Sequence, residues 1–326
     1  MNQTEVINKK KGTTMKKIGK IILKTLGIIA ILLALFITIV FIYNVISSKV
    51  EQGKIETYGQ LIPVDGKHMN VVMEGKGEET VVLLPGLGTV APGIDFKPLI
   101  KELSPFYKVV VIEPFGYGLS DVTEKERSTA NIVSEIHQDL QSLQIDRYIL
   151  MGHSISGIYG IDYVNKYANE VSAFIGIDSS VPTQSGTDVE IPTQLIKLLQ
   201  KSGFARLQVE LSANPYDSLP YDDKSKEQIK FLAYKNNANP SVLNEMKQVR
   251  SNFKEAEKLI FPKNLPVLLF VQANVDPTIM PNWIPLHEDQ VKDSAHGKVI
   301  LLEGGHNLHH TKSKELVESF REFMKK

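Results

Sequence analysis

The first 57 residues and the remainder of the chain follow different hydrophobic patterns. From Thr25 to Ser48 no residue is charged, and Leu26 to Tyr43 is almost entirely Ile, Leu, Val, Ala and Phe. As a helix this stretch would reach about 36 Å, enough for a hydrocarbon core of about 30 Å. Seven lysines and one acid, Glu5, precede it. The positive-inside bias therefore predicts a basic cytoplasmic tail (1–24), a single-pass anchor in the cell membrane (25–48) and an outward-facing remainder. A cleaved signal peptide is the competing reading. The apolar run exceeds the usual core of about 7–15 residues, and no small-x-small cleavage pattern follows it. Met15, followed by two lysines, is a second candidate start.

After a short polar linker expected at 49–57, the pattern changes to brief apolar runs separated by longer amphipathic stretches. The runs are Val81–Leu84, Val109–Ile112, Tyr148–Met151, Phe174–Ile177, Val267–Val271 and Val299–Leu302. Four or five consecutive apolar residues without alternation suit strands buried on both faces. Between them, segments such as Ile132–Leu143 and Leu316–Met324 repeat with helical spacing. Strand alternating with helix predicts an α/β fold with a mostly parallel sheet covered on both sides. Upstream, Tyr58–Val64 and His68–Glu74 alternate around Asp65-Gly66, which predicts an antiparallel hairpin. From 181 to 262 no strong strand appears, only helix-like segments at Pro192–Gln200, Lys224–Lys235 and Ser241–Leu259. Such a long insertion is expected to be a helical cap over the C-terminal edge of the sheet, dividing a core of 58–180 and 263–326.

Composition narrows the chemistry. With 42% hydrophobic and 23% charged residues among 326, the chain can bury a core. It has no cysteine, which excludes disulfides, thiolate metal sites and a cysteine nucleophile. Net charge is zero, but the tail before Thr25 carries +6, so the rest carries −6. A broad basic face for nucleic acid is not expected.

The run Tyr148–Met151 leads directly into Gly152-His153-Ser154-Ile155-Ser156-Gly157 and then an apolar helix. A serine at a strand-to-helix turn is held in a strained, exposed conformation. Small neighbours let the two backbones approach, and the helix N-terminus offers unpaired N–H groups to a developing oxyanion. These residues resemble the nucleophile elbow of the α/β-hydrolase superfamily, with Ser156 where G-x-S-x-G has its last glycine. The resemblance covers about residues 58–325. It implies Ser154 as nucleophile, with an acid and then a histidine following late strands in the order Ser, acid, His. Asp276, in Gln272-Ala273-Asn274-Val275-Asp276-Pro277, is the expected acid, and His306, after Gly304-Gly305, the expected base. Asp178, ending Phe174–Ile177, is the alternative acid.

Bland readings stand beside these. Ser154 could be an ordinary helix N-cap and Asp276 a turn residue before Pro277. His309 and His310 compete with His306, and His-x-x-His-His could suggest a metal. No cysteine or carboxylate cluster in the sequence supports one, so neither metal nor cofactor is expected. His153 reads as structural.

The oxyanion donors implied are the backbone N–H groups of Ile155 and of Leu87, the latter in Pro85-Gly86-Leu87-Gly88, which resembles the superfamily's His-Gly-x-Gly loop with Pro for His. The segment Glu113-Pro114-Phe115-Gly116-Tyr117-Gly118-Leu119-Ser120 resembles Asp-x-Arg-Gly-x-Gly-x-Ser and is expected to be structural. Together these features predict a serine hydrolase acting on a small-molecule ester, less readily an amide, with short- to medium-chain esters preferred over peptides. An acyltransferase, a C–C hydrolase, an aminopeptidase and a non-catalytic ligand-binding protein are the alternatives. A serine at the elbow argues against dehalogenase or epoxide hydrolase chemistry, which uses Asp there. In the cap, Ile196, Leu199, Phe204, Phe231 and Leu232 either line an acyl pocket or pack the cap itself.

Overall fold

The computed structural model describes residues 3–212 and 215–325, with only the backbone described for 3–14. The expected basic tail thus lies in part outside the described residues. The chain opens with one helix, α1 (Gln3–Gln52). Then come β1 (Gln60–Val64), β2 (Lys67–Glu74), β3 (Thr80–Leu84), α2 (Pro92–Asp95), α3 (Lys97–Leu103), β4 (Lys108–Glu113) and α4 (Thr129–Ser142). Next are β5 (Tyr148–His153), α5 (Ser156–Lys166) and β6 (Val171–Ile177). Four helices follow without a strand: α6 (Thr193–Ser202), α7 (Phe204–Leu211), α8 (Asp223–Asn236) and α9 (Pro240–Ala256). The chain closes with β7 (Val267–Gln272), α10 (Trp283–Val291), β8 (Gly297–Leu302), α11 (Leu308–Thr311) and α12 (Ser313–Met324).

The strands form one sheet in the order β1-β2-β4-β3-β5-β6-β7-β8, antiparallel at β1/β2 and β2/β4 and parallel elsewhere. The leading hairpin turns at Asp65 (φ 51°) and Gly66 (φ 75°), the pair of positive φ values that matches strand twist in a two-residue turn. The Val/Ile/Leu runs of β3, β4, β5 and β7 are buried, with cores on both sheet faces. The last run differs from expectation. As an edge strand, β8 leaves Leu301 47% exposed.

The strand order reverses around β3, whose neighbours are β4 and β5. The crevice at such a reversal, beyond the strands' C-terminal ends, is where open α/β sheets bind ligands. Over it lie α8 and α9. Asn236 Nδ2 donates to the carbonyls of Val90 and Gly118, and Asn239 Nδ2 to that of Gly116.

Among the described residues one helix, α1, is long and apolar enough to cross a membrane, by length and composition alone. Its C-terminal end does not run free. Arg206 of α7, 2% exposed, donates to both carboxylate oxygens of Glu51 at 2.7 Å, to Ser48 Oγ and to Asn44 Oδ1, while stacking 3.7 Å from the Tyr234 ring. Residues 49–57, expected as a linker, are therefore strapped to the cap helices. Gln228 of α8 adds bonds to Glu56 N–H and the Lys54 carbonyl.

Candidate active site

Four loops at the C-terminal ends of parallel strands converge on a cavity of about 240 Å³, lined by Leu87, Asp95, His153, Ser154, Tyr216 and His306 among others. Ser154 sits between β5 and α5 with φ 54°, a left-handed conformation costly for a residue with a Cβ and a frequent mark of functional strain. Surrounding bonds hold it there. Ser154 N–H donates to Ile177 O, and Ser154 O accepts from Gly157 N–H at 2.9 Å and Ser180 N–H at 2.7 Å. The turn needs a glycine at 157, because a Cβ there would lie 2.3 Å from Ser180 O. Ser156, the departure from G-x-S-x-G, uses its hydroxyl to donate to the Pro85 carbonyl at 2.6 Å. It thereby ties the elbow to the loop after β3.

His306, after β8, donates from Nδ1 to Asp178 Oδ2 at 2.7 Å. Asp178 follows β6, is fully buried, and has φ 41°. Its other oxygen accepts from Gln272 N–H and Trp283 Nε1, both at 3.0 Å. Every carboxylate oxygen thus has a donor, the condition for burying a carboxylate at tolerable cost. The expected pairing of His306 with Asp276 is not what the structure brings together. The Asp276 carboxylate lies in an exposed turn and accepts from the N–H (2.8 Å) and hydroxyl (2.7 Å) of Thr278. Those bonds lower its pKa. The physical reason is an Asx turn: Asp followed by Pro-Thr closes on its own backbone. The segment after β7 instead contributes Trp283, the first residue of α10.

Among the described residues, the N–H groups of Leu87 and Ile155 donate to no other group of the chain, and both belong to the loops flanking Ser154. The loop carrying Leu87 is braced from outside. Gly88 N–H donates to Tyr117 Oη at 3.0 Å, and Tyr117 donates in turn to Glu245 Oε2 of α9. Tyr159 Oη donates to the other Glu245 oxygen. Tyr117 comes from the Glu113–Ser120 segment, so that segment reaches the site. Glu113 itself is buried under bonds from Tyr58, Asn70, Gly93 N–H and Leu119 N–H, with burial raising its pKa. Sequence reading missed Tyr117, Glu245 and Trp283. The donor-only indole of the chain's single tryptophan was one available signal, because it demands a buried acceptor.

Three more histidines, His153, His309 and His310, pack in a row from His306. His153 Nε2 donates to His306 O at 3.2 Å. Burial, with His309 and His306 near it, pushes its pKa well below the usual histidine range, so it is neutral. His309 and His310 donate from Nε2 to the two oxygens of Asp95 at 2.8 and 2.9 Å. Burial opposes the Asp95 charge, but the bonds from both histidines outweigh it and hold the carboxyl below its ordinary range. Asp95, His309 and His310 are the group among the described residues whose ligand atoms lie close enough to hold a metal ion, within 4.8 Å of one another. An ion there would displace both Nε2 protons from a set of bonds that already satisfies the carboxylate.

A model of the alpha/beta hydrolase fold matches residues 79–222. The uncharacterized protein YbdG of Bacillus subtilis (strain 168) is 32% identical over 265 residues, covering 78% of this chain and 80% of that protein. The chain belongs to the α/β-hydrolase superfamily. The putative carbamate hydrolase RutD of Escherichia coli O150:H5 (strain SE15) is 28% identical over 145 residues, 44% of this chain and 52% of RutD. In three dimensions the enol-lactonase of Burkholderia xenovorans LB400 matches with a TM-score of 0.60 at 15% identity, over 82% of this chain and all of that one. This α/β-hydrolase thus has the fold and hydrolase relatives that support an enzyme.

Proposed function

We propose that the chain is a serine hydrolase that cleaves esters through an acyl-enzyme and is held outside the cell membrane by α1. Ser154 Oγ attacks the acyl carbon while His306 Nε2 takes its proton. Asp178 holds the imidazole with Nδ1 as donor and stabilises the imidazolium. The oxyanion accepts from Leu87 and Ile155 N–H, each such donor being worth about 3 kcal/mol in the transition state. Collapse expels the alcohol, which takes the proton from Nε2. Water, deprotonated by the same nitrogen, then releases the acid and restores Ser154.

The observation that carries this reading is the 2.7 Å His306–Asp178 bond beside a serine at φ 54° on the same cavity. Ser154 Oγ makes no hydrogen bond within the chain among the described residues, as is common before substrate tightens a site. The test is fluorophosphonate labelling of the full chain. Wild type should label, Ser154→Ala should not, and His306→Ala should label far more slowly. A folded wild type that fails with the smallest probe would leave the serine unactivated and the reading wrong.

Anchoring rests on the uncharged run and on Lys16, Lys17, Lys20 and Lys24 at its N-terminal flank. Membranes washed at alkaline pH should retain the chain at full mass. Loss of about 45 residues from its mass would show cleavage and sink this part.

A further inference from the structure

A second cavity, of about 670 Å³, lies within the cap, lined by Ile196, Leu199, Ala205, Val209, Ile229 and Ala233 among others. That volume falls within the range of roughly 300–1,000 Å³ typical of small-molecule sites. It shares Val90 and Tyr216 with the cavity that holds Ser154 and His306. Its charged lining groups, Glu210 and Lys230, pair with each other at 3.2 Å, and Tyr234 Oη donates to Glu210. No uncompensated charge is therefore turned on an apolar occupant.

The two helices α6 and α7, which help to line this cavity, also contact the anchor helix. Leu195, Leu198 and Leu199 form an i, i+3, i+4 stripe on α6 that is 53%, 63% and 38% exposed, and Val209 and Leu211 extend it on α7 at 41% and 80%. A leucine stripe on an amphipathic helix normally turns inward. Here the turn between the two helices presses on α1. A Cβ at Gly203 would lie 2.7 Å from Asn44 Cβ and 2.8 Å from Val40 O, and Phe204 meets Phe36 at 6.1 Å between ring centroids. Phe36 lies about 18 Å down the helix axis from Ser48, inside the uncharged run. If α1 crosses a bilayer, the stripe lies at the lipid boundary.

We propose that the cap cavity is an acyl-chain subsite, filled from the lipid side past Leu199 and Val209, and that the substrate is a membrane-partitioned fatty acyl ester. This assignment rests on the hydrolase reading above. The carbonyl would sit at Ser154, and the chain would pass Val90 and Tyr216 into the cap.

The experiment compares p-nitrophenyl acetate with p-nitrophenyl decanoate, using the full chain in phosphatidylcholine vesicles. Wild type should favour decanoate in kcat/KM. Ala233→Phe, which fills the cavity, should cost decanoate about tenfold or more, the equivalent of two buried methylenes, and leave acetate within about twofold. Ala205→Phe is the second variant should the first not fold. On wild type alone, a decyl fluorophosphonate should label Ser154 faster than an ethyl one. Equal losses on both esters in a folded variant, or no advantage of the decyl probe, would overturn the subsite. Absence of any labelling or acetate turnover in wild type would instead remove the hydrolase reading beneath it. Leu198→Asp should slow decanoate hydrolysis on vesicles without changing acetate, and an unchanged rate would overturn entry from lipid.

Discussion

Replacing Asp178 by Asn tests the assignment of the acid where sequence and geometry diverge. Asp178 is fully buried and makes three hydrogen bonds through its carboxylate, to His306 Nδ1, Gln272 N–H and Trp283 Nε1. In Asp178→Asn the amide oxygen can keep the last two, so the fold should survive with a loss of about 1–2 kcal/mol. The amide nitrogen then faces His306 Nδ1 as a donor. The ring answers by placing its proton on Nε2, which can no longer accept the serine proton. A wrong tautomer of this kind costs about 10⁴ in kcat, or roughly 5.5 kcal/mol at 1.36 per decade. Asp276→Asn disturbs only an exposed turn with Thr278 and should leave kcat within about twofold. Steady-state turnover of p-nitrophenyl acetate, with circular dichroism to verify folding, reads both. A loss under tenfold in Asp178→Asn, or a larger one in Asp276→Asn, would refute the assignment.

Three further perturbations test the loop brace, the clasp on α1 and a buried carboxyl. Tyr117→Phe removes the acceptor of Gly88 N–H and leaves Glu245 Oε2 without the donor it has from Tyr117; kcat should fall roughly tenfold with KM little changed, whereas a loss confined to KM would mean the loop needs no brace. Arg206→Ala deletes the clasp on Glu51, Ser48 and Asn44, at a cost of about 3 kcal/mol; hydrogen exchange in α6 and α7 should accelerate while small-probe labelling of Ser154 persists, and unchanged protection would count against the clasp. Asp139 is fully buried with both oxygens unpaired, and burial raises its pKa to about 8. Between about 3.8 and 8 the folded state therefore binds this proton more tightly than the unfolded chain does, so its contribution to stability declines as pH rises. At about 1.4 kcal/mol per unit the ceiling is roughly 6 kcal/mol. Asp139→Asn should melt higher than wild type at pH 8 and about level with it at pH 4, and a gap independent of pH would be the contrary result.

What the sequence disclosed was what local rules determine. Ser154 is legible because an elbow is made by consecutive residues: a buried strand, small neighbours at 152 and 157, and a helix. The loop of Leu87 is legible for the same reason. The acid, Asp178, is not, because its partners come from three separate segments, at 272, 283 and 306. Two aspartates follow buried strands, and sequence adjacency cannot say which faces the histidine. The difference lies in what each can bond locally. Asp276 has Thr278 two residues on and satisfies itself. Asp178, in Ile177-Asp178-Ser179-Ser180, starts no such closed turn and waits for donors from β7 and α10. The same reasoning explains the anchor region. Read along the chain, 25–48 is uniform and 49–57 is a spacer. Yet Asn44 and Ser48 are polar groups near the end of an apolar run, and they are among the groups that a buried arginine 150 or more residues later takes up. A polar side chain that interrupts an apolar pattern marks where another part of the molecule must arrive. In this chain that part is the cap, so the helix expected to hold the protein at a membrane also fixes the wall of the cavity beside Ser154.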